Sequence, residues 1–158
     1  MSDLIGILER LGCERVRTYI QSGNAVFRTR KNKPKKLAEE ISTKILESHG
    51  FKPTVLVLGV PELEEAVENN PFKTVDGKAL HFLFLESHPK TPDLGGLRAL
   101  KSNSEEFRLN KKVFYLYTPD GVGRSMLAAK VEKSLGVPVT GRNWNTVSKL
   151  LAMVKADQ

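Results

Sequence analysis

Two glycine–arginine tracts near the end of the chain, DGVGRS at 120–125 and TGRNWNT at 140–146, each read as a turn that opens a helix, hold its best anion-binding chemistry. In the first, Gly121 and Gly123 permit close main-chain approach, Ser125 offers a hydroxyl and Arg124 a bidentate guanidinium. A helix opening there aims unpaired N–H groups and a positive dipole end at any phosphate or carboxylate beside it. In the second tract Arg142 and Asn143 are placed to complete a polar pocket with Arg124, Asn145 reads as the N-cap of the last helix, and Trp144 reads as its apolar anchor. The first tract lacks the Gly-Lys-Ser/Thr ending of a nucleotide-binding P-loop. A plain turn and helix cap, with Arg124 in solvent, accounts for the same residues.

No reaction is written into the chain. His49, His81 and His88 are scattered, no Cys/His spacing suits a metal, and no cofactor motif is present. His81 lies inside an apolar run and reads as a packed histidine. The pairs Glu39–Glu40, Glu64–Glu65 and Glu105–Glu106 read as solvated charges at element ends. Catalytic residues are therefore not assigned.

The formal charge of +7 is concentrated rather than spread. Arg28, Arg30, Lys31, Lys33, Lys35 and Lys36 fall within nine residues, and the remainder of the chain is close to neutral. A patch of this size can neutralise several phosphates and makes binding steeply salt-dependent. It contains no aromatic residue to stack on a base. Aromatics occur elsewhere: alternation along 113–117 puts Tyr115 and Tyr117 on one strand face and Phe114 on the other, the arrangement an RNA-recognition sheet uses, although the Gly-aromatic-Gly core of that motif is missing. At 158 residues, with 40% apolar and 27% charged residues, the chain has the composition of a globular domain. No apolar run approaches the ~20 residues a membrane-spanning helix needs. A lone cysteine, Cys13, and a start without a signal-like segment fit a reducing, cytoplasmic setting.

The elements that must position these groups follow from periodicity and stops. Leu4, Leu8 and Leu11 predict a helix ended by Gly12; strands follow over 15–21 and 25–28 around a Ser22-Gly23-Asn24 turn. Pro34 opens a helix with Leu37, Ile41 and Ile45 inward that stops at Gly50, and residues 54–58 read as a strand. A linking helix at 61–68 leads to strand 80–85, helix 94–101, strands 106–109 and 113–117, a helix carrying Leu127, Val131 and Leu135 to Gly136, strand 137–140 and helix 146–154.

The second half thus reads βαββαβ and the first αββαβ. Taken as two split-βαβ units, the chain is an α+β protein of two tandem ferredoxin-like halves, 1–60 and 80–158, joined by a linker at 61–79. The first half lacks its first strand, which in this topology is central. Two explanations are expected: Met1 is an internal methionine, or the sequence is a fragment.

Residues 8–24 (LERLGCERVRTYIQSGN), Asn70-Pro-Phe72, and DGVGRS through GRNWNT resemble the bacterial family called domain of unknown function 1697. The resemblance implies two ferredoxin-like halves in a cytosolic bacterial protein and brings no established reaction. It also implies an apolar strand and Gly-rich turn before the equivalent of Met1, in agreement with the strand missing from the repeat. Cys13 stands where the family more often has an aromatic residue. The resulting expectation is a protein binding a small anion through Gly121, Gly123, Arg124, Ser125, Arg142 and Asn143. Its rivals are a nucleic-acid module using the basic patch with Tyr115 and Tyr117, and a scaffold that recruits another chain to the unpaired sheet region.

Overall fold

Two helices of this chain end where a glycine turns left-handed. Gly50 and Gly136 have φ of 79° and 73° and donate back to the carbonyls of Leu46 and Glu132, closing two helices at the positions their sequence stops mark. A computed structural model describes residues 2–19, 23–73 and 76–157. Its elements are α1 (Ser2–Arg10), β1 (Glu14–Tyr19), β2 (Asn24–Arg28), α2 (Pro34–His49), α3 (Val60–Glu68), β3 (Leu80–Leu85), α4 (Leu94–Leu100), β4 (Glu106–Asn110), β5 (Val113–Tyr117), a 3-10 turn (Val122–Arg124), α5 (Met126–Leu135), β6 (Val139–Asn143) and α6 (Trp144–Ala156). The fold is α+β. Residues Met1–Leu63 with Leu150–Gln158 form one unit and Glu64–Lys149 a second. The expected linker at 61–79 is thus divided at Leu63/Glu64, and the C-terminal helix is divided at Lys149/Leu150.

In the first unit β1 and β2 pair antiparallel, with an irregularity between Glu14 and Arg17 where Arg15 takes φ 52°. Val16, Ala25 and Phe27 on one face pack on Leu8, Leu37 and Ile41 of α1 and α2 and on Cys13. The other face carries Arg17, which donates to the Met153 carbonyl at 2.6 Å and to Asp157 at 2.8 Å, while Arg28 donates to the Asp157 carbonyl. Two guanidiniums on the last carbonyls of α6 suit its negative dipole end, and they explain why 150–158 belong here. Ile20, Gln21 and Ser22, where the hairpin turn was expected, lie outside the described residues.

One expected element is missing from this unit. Residues 51–59 pair with no strand among the described residues, although Val55 and Val57 pack on the α1/α2 core. The β-branched pattern is right for a strand, but a ladder needs a neighbour, and none is present beside it.

The second unit has the order β4-β5-β3-β6, every pairing antiparallel. β3 and β4, joined through α4, therefore run parallel with β5 between them, and β5 and β6, joined through α5, run parallel with β3 between them. α4 and α5 cover one face, where Leu85, Phe114 and Leu116 meet Leu97, Leu127 and Val131. The opposite face is covered as well. Phe82, 0% exposed, touches Tyr115 edge-on at 5.0 Å and stacks on Trp144 at 5.7 Å, as the anchor reading of Trp144 requires. The Tyr115 hydroxyl donates to the Ala66 carbonyl of α3 at 2.5 Å. Removing it in Tyr115→Phe leaves a buried carbonyl unpaired, so a loss of about 1–3 kcal/mol is expected from urea unfolding.

Candidate functional site

The first glycine–arginine tract forms a turn, with Gly121 at φ 105° leading into the 3-10 turn. Ser125 caps α5: its hydroxyl oxygen accepts from the Ala128 N–H at 2.9 Å. Beside it sits Glu105, only 5% exposed, so its reading as a solvated charge is corrected. The Ser102 N–H donates to Glu105 at 2.9 Å. Burial alone would raise the Glu105 carboxyl, but bonds from the Ser102 N–H and the Ser125 and Ser102 side chains outweigh it, and hold the group below its usual range despite nearby Asp120. A carboxylate of the protein thus lies against the capping serine of α5. Sequence reasoning missed it, although Ser102-x-x-Glu105 is a capping-box spacing.

Glu105 has a pH consequence. A folded value below the ordinary carboxylate value of 4.5 contributes stability above that pH, lost as pH falls through the folded value. Glu105→Gln is therefore expected to flatten the acid limb of a melting-temperature profile run from about pH 7 to about pH 2.

The second tract is not a turn. Gly141, Arg142 and Asn143 lie in β6, paired with Leu83, Phe82 and His81 of β3. Gly141 is explained by Leu83, whose Cδ2 would lie 2.7 Å from an added Cβ. Asn143, not Asn145, caps α6, accepting from the Thr146 N–H at 3.0 Å, because the helix starts at Trp144. The sequence expectation of Asn145 as the cap is corrected, because the β3 ladder carries β6 as far as Asn143.

Strand alternation fixes the face that Arg142 takes. Arg142 is in register with Phe82 and Tyr115, hence on the face away from α4 and α5, whereas Arg124 lies in the 3-10 turn that leads into α5. Arg142 is half-buried, which pushes its guanidinium down from the ordinary value, and it donates to the Gly141 carbonyl at 2.7 Å. Arg124 is exposed. Arg142 and Asn143 thus belong to β6, and Arg124 to the 3-10 turn before α5.

The aromatic half of the nucleic-acid reading is corrected too. Tyr115 is 1% exposed, its hydroxyl is bound to α3, and burial with Glu65 nearby pushes its pKa up to about 12. Tyr117 stacks on Phe72 at 6.3 Å. Tyr115 cannot receive a base while α3 covers it. His81, held low by burial against a bond to the Lys78 backbone, is the packed histidine expected.

The basic patch remains in solvent. Arg28, Arg30, Lys31, Lys33, Lys35 and Lys36 are all exposed. Arg28 is engaged with Asp157 and Lys31 with Glu40 at 3.0 Å. Arg30, Lys33, Lys35 and Lys36 have no ion pair among the described residues. Lys33 is the N-cap of α2 without a side-chain cap bond, Pro34 follows, and the first turn holds no acidic residue. A helix normally places carboxylates there, since lysines repel its positive end.

Comparison with known proteins adds a family and a fold relative. The family described as "Protein of unknown function (DUF1697)" matches residues 1–115. The structure of the conserved bacterial protein SP0830 from Streptococcus pneumoniae is similar, with 25% identity, a TM-score of 0.65, and coverage of 97% of this chain and 87% of that one. Among curated proteins none matches. No helix among the described residues is long and apolar enough to cross a membrane.

Proposed function

The chain belongs to the DUF1697 family, whose description assigns no chemistry, and from the geometry of its own surface we propose that it binds the phosphate backbone of a nucleic acid at the start of α2. The observation that carries this reading is the junction of a basic run with an uncapped helix N-terminus. Arg30, Lys33, Lys35 and Lys36 stand where the main-chain N–H groups and dipole of α2 already favour an anion. Folding is not helped by that arrangement, and a bound phosphate relieves it.

Base readout does not enter, because the patch has no aromatic residue and Tyr115 is covered. Binding is therefore sequence-independent, in the range of about 10⁻⁴ to 10⁻⁶ M typical of backbone contacts at physiological salt. Fluorescence anisotropy of a labelled oligonucleotide, titrated in two unrelated sequences, tests this: equal affinities are expected. An affinity ratio above about tenfold between the sequences would indicate base contacts and contradict the reading.

A further inference from the structure

The sheet of the second unit has two outer strands, β4 and β6, and they differ in charge. β6 carries Arg142 as its one charged residue. β4 sets Glu106 and Arg108 two residues apart, so both side chains project from the same face, and both are exposed. Glu106 reaches Lys101 only at 3.5 Å and its side chain is 55% exposed, while Arg108 has no ion pair among the described residues. The other face of β4 is apolar, with Phe107 and Leu109 packed on the α4/α5 core.

Register fixes which main-chain groups face outward. The pair Asn110–Val113 closes the turn Lys111–Lys112 and so exchanges both hydrogen bonds, which turns Glu106, Arg108 and Asn110 toward β5. The bond from the Leu85 N–H to the Lys112 carbonyl at 2.8 Å sets the same alternation from the β3 side. The N–H and carbonyl groups of Phe107 and Leu109 therefore point away from the sheet, and none of them is hydrogen-bonded among the described residues. No proline, lysine or bulge blunts this edge.

We infer that β4 is a docking edge for a second copy of this chain, joined as an antiparallel β4–β4 pair about a two-fold axis through Phe107. Centred there, the two Phe107 residues exchange both main-chain bonds, and Glu106 of each copy falls directly opposite Arg108 of the other. These are non-hydrogen-bonded positions, where side chains approach most closely. The charges choose this register. A slip by one residue matches outward groups with groups already bonded to β5, and a slip by two sets arginine against arginine or glutamate against glutamate. The contact is only a few residues long, so the dimer is weak and reversible.

Sedimentation velocity of the intact protein between about 10 μM and about 1 mM tests this, with nucleic acid removed beforehand so that the result is independent of the phosphate-binding reading. The weight-average mass is expected to climb from one chain toward two across that range. Arg108→Glu and Glu106→Arg each put like charges on both pairs and are expected to weaken association by about tenfold or more. An equimolar mixture of the two variants restores it, because each chain then offers the other the opposite sign at both positions. Both side chains are exposed, so the fold is retained, and unchanged melting temperatures verify this. A native protein that stays monomeric, single variants that associate as the native chain does, or a mixture that associates no better than its components each overturns the proposal.

Discussion

Replacing Lys33, Lys35 and Lys36 together by glutamate is expected to weaken oligonucleotide binding by about a hundredfold or more at low salt while raising the melting temperature. The two effects share one cause. Each lysine sits at the cap or first turn of α2, where no acidic residue offsets the positive dipole end. A carboxylate there stabilises a helix by about 0.3–1 kcal/mol, and the same change puts a negative charge where a phosphate would lie. Three reversals in one turn leave Arg30 as the one uncommitted cation of the patch. A lysine run retained merely as a solvated face would show the stability gain with no binding to lose. Anisotropy and thermal unfolding of the same variant separate the two readings.

The largest stability loss is expected at Phe82. Its ring is fully buried, touches Phe84 at 6.1 Å as well as Tyr115 and Trp144, and lies on the central strand of the second unit. Phe82→Ala removes one member of this cluster and opens a cavity on the face that α3 and Trp144 cover, costing about 3–5 kcal/mol. Trp144 is the only tryptophan, so its fluorescence reports the loss directly. The emission should shift to the red and the urea midpoint should fall. Phe51→Ala is the contrast: this ring is 58% exposed, and its loss should stay within about 0.5 kcal/mol.

What the sequence made legible was local. The stops of α2 and α5 depend on one residue's backbone freedom, and Gly50 and Gly136 announce them without knowledge of the rest of the fold. The charge of 28–36 is equally local. Pairing is not. Residues 54–58 have a strand's composition and no strand beside them among the described residues, whereas Gly141 to Asn143 have a turn's composition and are drawn into β6 by β3. That single difference converts a second ligand-binding turn into a strand, moves the helix cap from Asn145 to Asn143, and puts Arg142 on the face opposite α5. Tyr115 was misread for the same reason. Its alternation was right, but the α3 carbonyl that covers it comes from 49 residues away.

Salt dependence tests phosphate binding most directly, because it counts the phosphates neutralised without assuming which residues do it. Arg30, Lys33, Lys35 and Lys36 are the uncommitted cations, so log K against log salt for a DNA duplex should be linear with a slope of about −3 to −4. The Lys33, Lys35 and Lys36 reversal should bring it near zero. A slope near zero for the unaltered protein, or one unchanged by the reversal, would contradict the assignment of the α2 N-terminus as a nucleic-acid backbone site.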